Sequence, residues 1–191
     1  MQALDSELVR SFVIAGHGNL AKVKELLDLH PELLNQAYSW SETDKETAIM
    51  AAGQVGNASI AEFLLSAGAP LSICTAAMLG RQSDVVRLLE QASENIHAKG
   101  AHGIPLLPHA ALSGNLDLVR MLVEHGAVEG SSFALHSAVS RGYEEMAEWL
   151  LDNTKLDVNW KDYQGKTPLA VAIERKDDVL TGLLRSRGGT S

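Results

Sequence analysis

Apolar residues fall along this chain in short bursts spaced three and four apart, and the bursts come in pairs. Leu118, Met121 and Leu122 illustrate one burst, which gives a buried stripe with Glu, Lys and Arg on the opposite face. Ahead of each such stripe lies a run rich in small residues, then a glycine. Ala52 precedes Gly56, Ile60 and Leu64-Leu65; Ala76-Ala77 precedes Gly80, Val85 and Leu88-Leu89; Ala110-Ala111 precedes Gly114, Leu118 and Leu122-Val123. Ala138-Val139 with Gly142, Met146 and Leu150-Leu151 repeats the order. So does Ala172-Ile173, with Lys176 in the glycine's place before Leu180 and Leu183-Leu184, and a weaker first copy runs through Ile14-Ala15, Gly18, Val23 and Leu26-Leu27.

The pattern predicts six helical hairpins. Their landmark positions 18, 56, 80, 114, 142 and 176 are separated by 38, 24, 34, 28 and 34 residues. In each unit the first helix stops at a residue suited to a left-handed conformation, and Asn19, Asn57 or Asn115 caps the second helix. The second helix ends at a further glycine, as at Gly68, Gly126 and Gly188. A hairpin of this length cannot cover its own apolar face, so neighbouring units must cover it. The expected fold class is all-α: one domain over 1–191, with units at about 5–34, 35–68, 69–94, 95–126, 127–156 and 157–189.

Composition narrows the function. The chain has 191 residues, 46% hydrophobic and 21% charged, which suits a folded chain and not a disordered one. Sixteen basic against 24 acidic residues leave a formal charge of −8, which argues against a nucleic-acid partner. No apolar run reaches the roughly 18 residues of a membrane span. Residues 1–10 alternate acids with apolars and lack the pattern of a secretory signal. A single cysteine, Cys74, has no internal partner for a disulfide. The expectation is a cytoplasmic, monomeric protein.

Specific segments carry a resemblance: Asp157-Val158-Asn159-Trp160-Lys161-Asp162-Tyr163-Gln164-Gly165-Lys166-Thr167-Pro168-Leu169, then Phe133-Ala134-Leu135-His136-Ser137-Ala138, with Gly68-Ala69 and Gly126-Ala127 after second helices. These resemble the ankyrin repeat, whose pattern passes through a D-x-x-G-x-T-P-L-H turn, an A-A helix, a Gly and a V-x-x-L-L helix. The resemblance spans about residues 5–189 in a shared register. The turn motif is complete nowhere, being Thr-Ala-Ile-Met at 47–50 and Thr-Pro-Leu-Ala at 167–170. It implies a curved solenoid of helix pairs with projecting turns near the concave face, and a non-enzymatic role in binding another protein.

Long and short unit spacings alternate, which predicts full projecting turns at about 35–47, 95–105 and 157–167 and clipped joins at 69–73 and 127–132. Trp40, Ala98 and Trp160 then share one structural position. The two tryptophans either pack across the turn bases or anchor a partner. Trp149, in a second helix, is expected in the core. The resemblance further implies a contact strip of turn tips and the last turns of first helices. Its positions here include Trp40, Met78, Leu79, His102, Ile104, His109, Leu112, Arg141, Trp160, Tyr163, Lys166 and Arg175, with Asp44 and Glu46 among the turn residues. An apolar centre with a charged C-terminal part fits the usual organisation of an interface.

A different class of function rests on Cys74, His97, His102 and His109, which would form a metal or small-molecule site in the central groove if they converged. Their spacings match no metal motif, and no acid lies between the histidines as a general base. No cofactor is expected. His136 occupies the repeat's own His position, where the resemblance implies a hydrogen bond between units, and Cys74 takes that position in its own unit as a small buried side chain. The paired acids Glu144-Glu145 and Asp177-Asp178 open second helices, where negative charge complements the helix dipole. Gly188-Gly189-Thr190-Ser191 is expected to be a flexible tail.

Overall fold

A computed structural model describes residues 5–191, and within them the helices come in hairpins. The hairpins are α1 (Ser6–Gly16) with α2 (Leu20–Leu29), α3 (Ala48–Val55) with α4 (Ala58–Ser66), α5 (Ile73–Met78) with α6 (Gln82–Gln91), α7 (Leu106–Leu112) with α8 (Leu116–Glu124), α9 (Ser131–Arg141) with α10 (Glu144–Asn153), and α11 (Pro168–Glu174) with α12 (Asp178–Ser186). The first helices stack side by side in chain order as an inner layer, and each second helix packs behind its partner. This is an all-α solenoid, as the pattern predicts.

Local chemistry explains the hairpins. The side-chain oxygens of Asn19, Asn57 and Asn115 accept the amides of Lys22, Ile60 and Leu118 at 3.0, 3.2 and 3.0 Å, which satisfies donors that a helix start leaves free. Gly56, Gly80, Gly114 and Gly142 all take left-handed backbone with φ between 67° and 77°. Lys176 is forced into the same conformation, at φ 57°. Unit one departs from this scheme. There α1 ends through His17 in right-handed geometry, and Gly18 is not left-handed. The glycine that matters is Gly16, where an added Cβ would lie 2.5 Å from the Ala48 carbonyl oxygen, so its bareness lets α1 lie against α3.

The buried side chains form two clusters. Phe12, Leu33, Ile60 and Leu64 fill the first, which also takes in Met78; Leu107, Leu118, Leu122, Leu135, Leu150 and Leu180 run through the second. The break runs through α5, whose Met78 belongs to the first cluster and whose Ile73, Cys74, Ala76 and Ala77 belong to the second.

Three projecting turns appear. In the first, β1 (Ala37–Ser39) pairs antiparallel with β2 (Lys45–Thr47), Tyr38 opposite Glu46. In the second, Lys99 bridges Pro105 and the Gly100 amide donates to the Ile104 carbonyl at 2.8 Å. The third closes where the Asp162 amide donates to the Lys166 carbonyl at 3.0 Å. Between α4 and α5, and again between α8 and α9, the chain makes only a short join.

The missing turn between the first two has a large consequence: units that are not neighbours in sequence meet over α5. His102 on the second turn contacts Asp44 on the first, Nδ1 to Oδ2, at 2.6 Å. On α7, His109 Nδ1 faces the Gly53 carbonyl of α3 at 3.1 Å, and on α9 Arg141 donates to the Val55 carbonyl at 2.6 Å. Every residue of α5 is therefore buried. The groove expected through the middle of the concave strip is filled at that point: Met78 is 3% and His109 1% exposed, so neither offers its side chain to a partner. The C-terminal segment also differs from the free tail expected. Thr190 is held by Asn159 Oδ1, which accepts its amide at 2.6 Å, and its carbonyl accepts from the Thr167 hydroxyl at 2.5 Å.

Candidate interaction groove

The concave face opens again beyond α5. A groove of about 510 Å³ lies between the C-terminal ends of α3, α7 and α9 and the third projecting turn. It is lined by five residues of the expected strip, Ile104, Leu112, Arg141, Trp160 and Tyr163, together with Gln54, Val55, Phe133, His136, Ser137, Ser140 and Asp162.

Its floor is aromatic. The Trp160 ring stacks on Phe133 with centroids 5.1 Å apart and planes 20° from parallel, and His136 meets the same indole edge-on at 5.7 Å. Phe133 and His136 stand one turn apart on α9, so both face the third projecting turn. His136 Nε2 lies 3.2 Å from the Lys166 carbonyl and 3.6 Å from Asp162 Oδ2. This joins adjacent units, as the repeat pattern implies. Burial pushes its pKa below the ordinary imidazole value, with Asp162 and the Lys166 carbonyl opposing that shift. Trp160 thus serves the turn base with one face while still lining the groove. Phe133 is absent from the contact strip expected from sequence, although its i, i+3 relation to His136 places the two on one face.

Apolar walls come from Val55, Ile104 and Leu112. Arg141 crosses between them to the last carbonyls of α3, reaching Val55 at 2.6 Å and Gly56 at 3.3 Å, where its charge complements the helix C-terminus. Arg175 does the same one unit on, donating to the Ser140 carbonyl at 2.8 Å. Lys166 pairs with Glu174, Nζ to Oε2, at 2.7 Å, and this bond raises its pKa. At the rim, Tyr163 is 94% exposed.

The other strip residues lie elsewhere. Leu79 is half-buried against the first cluster of apolar side chains. Trp40 sits on the first turn, edge-on to Tyr38 at 4.8 Å, its Nε1 donating to Glu46 Oε2 at 2.7 Å. Glu46 was expected at a turn tip but is fully buried. Trp149 is half-buried at the edge of the second cluster, with the Arg120 guanidinium 5.9 Å from its ring centroid.

Cys74, His97, His102 and His109 do not converge: among the described residues no ligand-spaced group contains more than His102 of the four. Burial pushes the Cys74 thiol up to about 12, so it stays protonated near neutrality and is a poor nucleophile or ligand. His109, also buried, has its pKa lowered by desolvation, against which the Gly53 carbonyl acts.

Comparison with known proteins agrees with this architecture. A family model described as ankyrin repeats (3 copies) matches residues 73–162 and 107–190. A Fowlpox virus protein named as an ankyrin repeat protein is 32% identical over 114 residues, covering 57% of this chain and 26% of the relative. A Treponema pallidum protein named as ankyrin repeat-containing is 32% identical over 111 residues, 55% of this chain and 37% of the relative. A Caenorhabditis elegans protein named as a glutaminase is 36% identical over 81 residues, 40% of this chain and 13% of the relative. The matches thus span well under half the length of these relatives.

Proposed function

The chain belongs to the ankyrin-repeat family, and from that premise we propose that it is a non-enzymatic module that binds another protein through the groove between α3, α7, α9 and the third projecting turn. Ankyrin repeats are in general protein-interaction modules. The observation that carries the reading for this chain is the groove itself, an aromatic floor of Phe133 and Trp160 and apolar walls of Val55, Ile104 and Leu112 beside charged Arg141 and Asp162. Aromatic and apolar anchors ringed by polar groups are how a small number of residues come to dominate an interface. Lys166 and Arg175 extend the rim, and Leu79, Trp40 and His102 border the same concave side.

Preorganisation supplies the mechanism. Trp160 is held by stacking and Arg141 by two carbonyls, so little side-chain freedom is lost when a partner segment enters. We assign the protein to the cytoplasm, acting as a monomer without nucleic acid. A lone buried thiol suits a reducing compartment, and among the described residues no helix is long and apolar enough to cross a membrane.

The test is affinity capture with the full chain in its native host, followed by titration of the captured protein against variants. Leu112→Ser and Trp160→Ala should each weaken binding by a kcal/mol or more, on the order of a hot-spot loss, with the helical circular dichroism unchanged. Wild-type affinity in both variants would rule out the groove.

A further inference from the structure

The lining of the interaction groove leaves out a cluster built around the buried Glu46. Glu46 on β2 is fully buried, and its Oε1 meets no hydrogen-bond donor. A carboxylate oxygen in that state is costly unless something positive lies against it. Two imidazoles face it from different units: His17 Nε2, at the end of α1, is 3.5 Å from Oε1, and His102 Nε2, on the second projecting turn, is 3.6 Å from Oε2. Both separations exceed an ordinary hydrogen bond. One ligand atom from each of the three residues lies within 4.8 Å of the others.

The far side of each ring is engaged. His102 Nδ1 is 2.6 Å from Asp44 Oδ2, and His17 Nδ1 is 3.3 Å from the Ile14 carbonyl. Both partners only accept, so an Nδ1 proton on each ring would be satisfied there, leaving Nε2 as the nitrogen available to a metal ion. Imidazoles whose outer N–H is held by a carboxylate or carbonyl are the arrangement found around bound transition metals. Trp40 Nε1 steadies the carboxylate, donating to Oε2 at 2.7 Å. Ligands about 2.0–2.2 Å from a tetrahedral zinc ion stand about 3.3 Å apart; the approaches to Glu46, one to each carboxylate oxygen, are slightly longer, and the three ligand atoms would close up from their spacing of up to 4.8 Å around the ion.

We propose that His17, Glu46 and His102 form a binding site for a divalent transition-metal ion of the zinc type, with Asp44 as the residue that positions His102. Two nitrogens and one oxygen favour such an ion over calcium or magnesium, which take oxygen ligands. The two histidine side chains are about one-third exposed (32% and 34%), which leaves room for water or a further ligand in the coordination shell. The ion would tie the end of the first unit to the first and second projecting turns, across the gap left by the clipped join between α4 and α5. Gln54 Oε1 lies 3.1 Å from His17 Nε2, so metal binding requires the Gln54 amide to turn away from that nitrogen.

The test uses the full chain, stripped with chelator and titrated with Zn2+ by calorimetry. Saturable binding of one ion per chain is expected, with a rise in thermal midpoint that Ca2+ and Mg2+ do not reproduce. Asp44→Asn should weaken zinc binding about 10–100-fold. His17→Ala and His102→Ala should each weaken it at least as much, while His97→Ala, on an exposed residue outside the cluster, should bind as wild type does. His17 and His102 are partly exposed, and circular dichroism checks their folding, so the outcome does not depend on a Glu46 variant. Co2+ in place of zinc should give visible absorption bands that His102→Ala abolishes. Absence of saturable zinc binding, wild-type affinity in both histidine variants, or equal binding of Ca2+ would overturn the site and leave the cluster as an ion-pair network.

Discussion

Lys176 occupies a position where four other units use glycine, and at φ 57° it carries a Cβ that crowds the backbone where glycine has none. Lys176→Gly should therefore stabilise the protein by about 0.5–1 kcal/mol, because relief of that strain exceeds the added freedom of the unfolded chain. A urea-denaturation midpoint that fails to rise would show that the α11–α12 connection absorbs the conformation without cost. The buried histidines make a second point at this scale. Desolvation lowers the pKa of His109 and of His136, so between the unfolded imidazole value of about 6.5 and the lower folded values the unfolded chain holds more protons. Their contribution is fully present above about pH 6.5 and is lost as pH falls below it. His109→Asn places an amide N–H where Nδ1 meets the Gly53 carbonyl and removes the titration, so its thermal midpoint should decline less than that of wild type between about pH 7 and pH 5. An equally steep decline would assign the acid sensitivity elsewhere.

At the scale of elements, most of the chain was legible because its signals are local. A helix stop at Gly114 and a cap at Asn115 depend on backbone within a few residues, and so does the Leu118–Leu122 stripe. The alternation of full and clipped turns was legible too, since a 24-residue interval has no room for the projection that a 38-residue interval allows. Unit one shows the limit of this reading. Its landmark Gly18 is not a left-handed stop; the glycine that packing requires there is Gly16, and a contact to the Ala48 backbone leaves no mark in local spacing. Glu46 misled for a similar reason. A Glu near a turn reads as solvated, yet the second projecting turn and α1 close over it.

For the whole molecule, the decisive feature is that the stack bends until its second unit meets its fourth and fifth. Arg141 makes the longest of these links in sequence, from the end of α9 to the end of α3, across the break between the two apolar clusters. It is exposed, so its two bonds should contribute modestly, and Arg141→Ala is expected to cost about 0.5–1 kcal/mol. Its signature is spatial: hydrogen exchange should quicken at the C-terminal amides of α3, 86 residues away in sequence, with α11 and α12 unchanged. Uniform exchange across the chain would mean that Arg141 does not hold the two clusters together.

The amino-acid sequence by itself determined the helices, their caps, the order of the units and the places where a turn projects, because those follow from periodicity and from backbone preferences at single residues. Tertiary structure alone decided which turns touch. Closing the gap over α5 buries Met78 and His109, moves the open groove to Trp160 and Leu112, and gathers His17, Glu46 and His102 from three units. Such contacts depend on how small packing rotations accumulate along the stack, and no window of the chain short enough to show a helix contains that sum.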